Sequence, residues 1–217
     1  MKRMLRIFAV LLTVYLFSGC ASKAPQNVVM QVSTIDALLA GVYDGHLSIQ
    51  KLLRYGNTGI GTFDKLDGEM VLMDGNVYQV KSDGKVYEPP SHLTTPFAAV
   101  VHFSADKSLS MKGPLTFKEF EQAIDREFPN KNAFYAIPMQ GTFSHMKTRS
   151  VPAQKRPYPP LVNVVQHQPI FEMTEVSGSI VGFRCPPYVK GINVPGYHLH
   201  FISDDLKSGG HIIDFVL

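Results

Sequence analysis

Between residues 59 and 87, short runs rich in Val, Met, Tyr and Leu are broken at Asp67-Gly68, Asp74-Gly75 and Asp83-Gly84. Asp-Gly between apolar runs is a strong short-range hairpin signal, so this stretch predicts an antiparallel meander. Residues 93–103 predict a further strand, residues 134–151 a long extended segment, and residues 162–166, 171–176 and 179–183 three more strands. Helical spacing is confined to short pieces. Ser33 or Thr34 can cap a helix running to Leu39, and Ser48 a second over residues 49–55, closed by Gly56. Thr116-Phe-Lys-Glu119 reads as a capping box opening a helix that carries Phe117, Phe120, Ile124 and Phe128.

Residues 152–160 hold four prolines, which cannot sit in central strands, and predict a crossover between two halves. The expected fold is mixed α/β (α+β), with two sheet-based halves over residues 33–151 and 152–217 and a few helices. In the second half, Gly196-Tyr-His-Leu-His-Phe-Ile-Ser203 alternates His with Leu, Phe and Ile. Side chains two apart on a strand share a face, so His198 and His200 project together. With the turn over residues 204–207, His200 stands opposite His211, the two Cβ atoms about 4.5–5.5 Å apart. Three imidazoles on one β-hairpin form a candidate metal site. Neutral imidazole suits Zn, Cu, Fe and Ni, and three protein ligands with open positions match the catalytic form of a zinc site. The alternative is an ordinary hairpin whose histidines are satisfied by carbonyls or water.

The N-terminus changes the reading of composition. Lys2, Arg3 and Arg6 precede an apolar run over residues 7–17 that is too short to span a bilayer, and Phe17-Ser-Gly-Cys20 is similar to a bacterial lipobox. Residues 1–19 are therefore expected to be a signal peptide. Residues 20–32 are read as a tether lipidated at Cys20, and the chain as exported, lipid-anchored to the membrane or secreted. Three of the 21 basic residues and none of the 18 acidic ones lie before Cys20, so the remainder is balanced and its formal charge is zero. The absence of a basic stripe argues against nucleic-acid binding. Only Cys185 remains besides Cys20, which leaves no internal disulfide. Oligomeric state stays open, a homodimer being one option.

A metal needs a cation to hold an anionic substrate and a carboxylic acid to move protons. Glu69, just past the Asp67-Gly68 turn, and Arg149, at the end of an extended segment, are the candidates. For each, a solvated rim charge is the competing reading. His145 and His167 are read as packed or surface histidines, Cys185 as a buried small residue, and Asp204 and Asp205 as turn residues.

The segments Gly59-Ile-Gly-Thr-Phe63, Leu66-Asp-Gly-Glu-Met70, Thr95-Pro-Phe97, Thr148-Arg-Ser-Val-Pro152, Arg156-Pro-Tyr-Pro-Pro-Leu161 and residues 191–205, taken in this order, resemble the bacterial α-acetolactate decarboxylases. The resemblance runs from about Thr34 to Leu217. It implies a zinc enzyme of two-layered α/β architecture that converts acetolactate to acetoin and carbon dioxide without an organic cofactor. His198, His200 and His211 would be the Zn2+ ligands, Glu69 and Arg149 the acidic and cationic active-site residues, with Thr62 beside them. The family pattern continues to a second active-site glutamate, whereas the sequence stops at Asp214-Phe-Val-Leu217. Either the sequence is a truncated or frameshifted product or proton delivery runs through Glu69 alone, and zinc binding is expected to stay intact while turnover is impaired. A zinc hydrolase, or a lipoprotein that only binds metal or small molecules, remains as the alternative.

Overall fold

The computed structural model describes residues 28–217, so the expected signal peptide and Cys20 lie outside the described residues. The first sheet is six-stranded, in the order β1-β8-β3-β4-β5-β6, and every neighbouring pair is antiparallel. Its strands are β1 (Val29–Val32), β3 (Thr58–Thr62), β4 (Glu69–Met73), β5 (Asn76–Val80), β6 (Val86–Tyr87) and β8 (Ala98–Val101). β2 (Leu47–Ser48) and β7 (Thr94–Thr95) form a small ribbon beside it. The expected meander is present. Asp74 and Gly75 both take positive φ, 51° and 79°, as a two-residue hairpin turn matching the strand twist requires.

The second sheet is built from β9 (Tyr135–Ala136), β10 (Met139–Arg149), β11 (Ile170–Cys185), β12 (Gly196–Ser203) and β13 (Gly209–Val216). β10 pairs with both β11 and β13, while β12 lies between β11 and β13, so four strands close into a ring. Length makes this possible. The sixteen-residue β11 pairs with β10 along residues 170–180 and with β12 along residues 178–185. Residues 171–176 and 179–183 were expected as separate strands. They are one strand, irregular at Glu175 (φ 48°), with Ser177 and Gly178 paired to Thr142 and Gly141.

Among the described residues, four α-helices decorate the sheets: α1 (Ile35–Leu39), α2 (Ile49–Leu52), α3 (Phe117–Glu127) and α4 (Leu161–Val165). Thr34 and Ser48 cap α1 and α2, although α2 stops three residues before the expected Tyr55. The capping box at Thr116 and Glu119 is formed in full, and α3 lays Phe120 and Ile124 onto the second sheet. No helix among the described residues is long and apolar enough to cross a membrane.

Three further sequence expectations need correction. Residues 162–166 are not a strand: Pro160 opens α4, and Leu161, Val164 and Val165, at helical spacing, pack under α1. The expected tether over residues 20–32 includes β1, whose Val29–Val32 pairs with β8. The proline segment does not divide the sheets, because β9 and β10 precede it yet belong to the second one. It crosses to the first sheet's side instead. There Tyr43 donates to the Pro159 carbonyl (2.9 Å), Tyr158 donates to Asp44 (2.9 Å), and Arg156 pairs with Asp44.

Packing explains which faces meet. Ile60, Val71, Ala99 and Val101 of the first sheet interdigitate with Val181, Phe183, Cys185 and Ile202 of the second. The opposite face of the second sheet buries Phe143, Met146, Leu199, Phe201 and Phe215 beneath α3. Each large apolar side chain so buried contributes about 1.5–3 kcal/mol. On β12 the odd positions 199 and 201 therefore serve the core under α3, and the even positions face the first sheet.

Close backbone approach sets one strict requirement. A Cβ at Gly182 would lie 2.1 Å from the His198 carbonyl oxygen, in the strand opposite. Gly182→Ala should therefore force β11 and β12 apart at a cost of about 1–3 kcal/mol, read by urea denaturation. Unchanged stability would show that the approach is not constraining.

Candidate metal centre and active site

Register brings the six sequence-picked residues together in two groups. In the first sheet Thr62 is the cross-strand partner of Glu69, at the ends of β3 and β4. In the second, His211 on β13 lies between His200 on β12 and Arg149 on β10. His198 shares the face of His200 two residues earlier. All six line one cavity of about 370 Å³ between the sheets. Leu38, Phe97, Val151, Leu161 and Val165 form its apolar wall.

The expected hairpin is present, with the His200 and His211 backbones paired and the turn at residues 204–207. Asp205 holds that turn, accepting from the Ser203 hydroxyl (2.7 Å) and the Lys207 amide (3.1 Å). The three rings stand 5.0–5.3 Å apart, centre to centre. Their candidate ligand nitrogens all lie within 4.8 Å of one another.

Hydrogen bonds fix the tautomers. His200, only 1% exposed, has Nδ1 at 2.8 Å from the Met70 carbonyl oxygen of β4. A carbonyl only accepts, so Nδ1 carries the proton and Nε2 the lone pair. That Nε2 faces Nδ1 of His211 at 3.3 Å. A tetrahedral site with metal–nitrogen bonds of about 2.0–2.1 Å spaces its ligands about 3.3 Å apart. Nδ1 of His198 is buried and has no hydrogen-bond partner, the one such side-chain atom among the described residues. A buried polar nitrogen left unpaired is costly, which fits an atom whose partner is a metal ion.

Burial also sets protonation. Desolvation, reinforced by the Arg149 charge, pushes the His198 imidazole down to about 4, and holds His200 and His211 well below the ordinary histidine range. All three are neutral at pH 7, the form that ligates. Glu69 approaches them, with Oε2 3.6 Å from Nε2 of His200. Desolvation pushes its carboxyl up to about 7, against the opposing pull of Arg149.

Arg149 is not a rim charge. It lines the cavity, and its guanidinium donates from Nη1 to the Gln168 side-chain oxygen at 2.9 Å. Thr62, 3% exposed, donates its hydroxyl to the Gly68 carbonyl at 2.6 Å and so holds the turn from which Glu69 projects. The Met70 carbonyl and Gln168 escaped the sequence reading, the first because a backbone acceptor has no side-chain signature. Asn193 was missed as well. Its amide donates to Gln31 (2.7 Å) and its oxygen accepts from Val194 (2.7 Å), fixing the cavity's Gly191–Pro195 wall; it lies within the family-like segment 191–205, where the histidines drew the reading instead.

The remaining candidates lie elsewhere, as expected. His145 sits 3.6 Å from Glu172, and His167 is on an exposed turn. Cys185 is buried between the sheets, its thiol pushed up to about 12 by desolvation.

Comparison with known proteins extends this picture. The family model for alpha-acetolactate decarboxylase matches residues 29–217. The alpha-acetolactate decarboxylase of Methanosarcina mazei is 50% identical over 193 residues, covering 89% of this chain and 67% of that protein. The Bacillus subtilis enzyme of the same name is 44% identical over 193 residues, covering 89% and 76%. A crystal structure of alpha-acetolactate decarboxylase from Bacillus subtilis strain 168 superposes with a TM-score of 0.85 at 44% identity, covering 87% of this chain and 81% of that one. A Staphylococcus aureus protein described as similar to alpha-acetolactate decarboxylase superposes with a TM-score of 0.86 at 34% identity, covering 88% and 82%.

The role given to Thr62 can be tested on the folded protein. Thr62→Val keeps the shape but leaves the Gly68 carbonyl buried without that donor, so stability should fall by about 1–3 kcal/mol. Thr62→Ser, which keeps the hydroxyl, should lose less. Equal losses in urea unfolding would mean that the hydroxyl does not hold the turn.

Proposed function

The chain belongs to the alpha-acetolactate decarboxylase family and is a carboxy-lyase; from that premise we propose that it converts 2-acetolactate to acetoin and carbon dioxide, with zinc held by His198, His200 and His211. The observation that carries the metal reading is three neutral imidazoles converging on a point beside an unpaired, buried His198 Nδ1. Zinc held there supplies a Lewis acid for the negative charge that builds on the substrate's oxygens as carbon dioxide leaves.

The protein's own groups divide the remaining work. Arg149 binds the substrate carboxylate, since a planar guanidinium offers two parallel donors to two oxygens. It also orients the bond to be broken towards the histidines. Glu69 handles the proton: a buried carboxyl next to the ligands can hold one and deliver it to the carbon that the carboxylate has left. Thr62 keeps Glu69 in place through the Gly68 turn. The apolar wall keeps bulk water from competing for the developing charge. The first twenty residues support export with lipid attachment at Cys20, and this part of the proposal rests on sequence alone.

Racemic acetolactate supplied to the purified protein should yield acetoin, with the yield abolished by a chelator and restored by zinc. Zinc-replete protein that leaves acetolactate untouched would overturn the activity. His200→Ala should lose most bound metal by elemental analysis, because two imidazoles make an incomplete site. Full occupancy in that variant would exclude the ligand set.

Arg149→Lys should cost at least about tenfold in kcat/KM, since an ammonium cannot reproduce the two-pronged contact, while the melting temperature hardly moves. A large loss of stability with unchanged kinetics would make Arg149 structural.

A further inference from the structure

Arg149 is a cation facing a mostly apolar cavity, and the group that holds it is neutral. Among the described residues, the one side-chain hydrogen bond of its guanidinium goes to the Gln168 amide oxygen, at 2.9 Å. No carboxylate lies within ion-pairing distance of it among those residues; of the two acids lining the cavity, Asp36 and Glu69, Glu69 approaches His200 instead. We propose that Gln168 is a positioning residue for substrate binding, which aims Arg149 into the cavity while leaving its positive charge uncompensated. The inference rests on the reading of Arg149 as the carboxylate-binding group.

The chemistry of the pair favours this role. Arginine only donates, so the Gln168 amide presents its oxygen to Nη1 and its NH₂ points away. A glutamate in the same place would hold the guanidinium equally well in geometry. It would also cancel most of the charge on which an anionic substrate depends. A neutral acceptor fixes direction without spending the field.

Gln168 is also not needed to hold its own turn. Between α4 and β11 the backbone is secured by the His167 amide donating to the Val164 carbonyl (3.2 Å) and the Ser150 amide donating to the Pro169 carbonyl (3.3 Å). The latter bond ties the turn to the residue directly after Arg149. The Gln168 side chain is thus brought to the guanidinium by contacts that do not involve it.

The test uses zinc-loaded protein and calorimetric titration with 2-hydroxy-2-methylbutanoate, which keeps the carboxylate, hydroxyl and carbon skeleton of acetolactate but has no ketone. Gln168→Ala should weaken binding about tenfold, the scale expected for losing one hydrogen bond to a charged group. Gln168→Glu should weaken it further, although it is the closer match in shape. Metal content and melting temperature should stay at the wild-type values in both variants. With acetolactate, Gln168→Ala should raise KM more than it lowers kcat.

Wild-type affinity in Gln168→Ala, or a Gln168→Glu variant that binds better than Gln168→Ala, would overturn the inference and leave the role of Arg149 standing. A marked drop in melting temperature in either variant would make Gln168 a structural pin and overturn it as well. Wild-type affinity in Arg149→Ala would remove the reading of Arg149 itself, and the inference with it.

Discussion

The site depends first on one hydrogen bond between the sheets, from Nδ1 of His200 to the Met70 carbonyl. The histidine belongs to β12 and the carbonyl to β4, so the bond forms only when the two sheets are packed face to face. It turns the ring, sets the tautomer and leaves Nε2 as a lone-pair donor towards His211. Because Met70 directly follows Glu69, the same strand that orients the His200 ring also delivers the carboxyl beside it. Packing of Ile60, Val71, Val181 and Ile202 therefore does more than stabilise the fold. It brings Glu69 of the first sheet within 3.6 Å of His200 of the second.

The cavity's low polarity gives these few groups their character. In water Glu69 would be a carboxylate and the histidines would titrate near neutrality. Out of water, the carboxyl is raised to about 7 and the imidazoles are held neutral. Arg149 brings a guanidinium into the same surroundings. The result is one cation, one exchangeable proton and three neutral imidazoles within a single apolar shell.

Most of this was legible in the sequence because strand geometry is periodic. The spacing of His198, His200 and His211 was enough to place their rings, and the two-residue alternation assigned their face. The Asp-Gly pairs located the meander, and Thr116 with Glu119 located α3. Failures came where a local signal was weaker than a tertiary one. Val-rich residues 161–165 favour a strand by composition but fold as a helix because Leu161, Val164 and Val165 find a core under α1. Ser177-Gly178 has turn chemistry yet stays in a strand that pairs on both sides. The Met70 acceptor could not be read at all, since any residue supplies a carbonyl. The resemblance to a family supplied Thr62; its reason, a hydroxyl on the Gly68 carbonyl, came only from the structure.

β13 contains a register shift opposite Lys147 and Thr148, with Asp214 paired to the first, Ile212 to the second, and Ile213 left over. That extra residue lets Ile212 and Phe215, an odd distance apart, both enter the core under α3. It lies on the far side of His211 from the hairpin turn, so the ladder from His200 to His211 is undisturbed. The strand is thereby split into two stretches with separate duties, one answering to the histidine hairpin and one to the aromatic core. Sequence drift in the second stretch can be absorbed at the irregularity without being transmitted to the cavity-facing imidazoles, a form of mechanical insulation written into a single surplus residue.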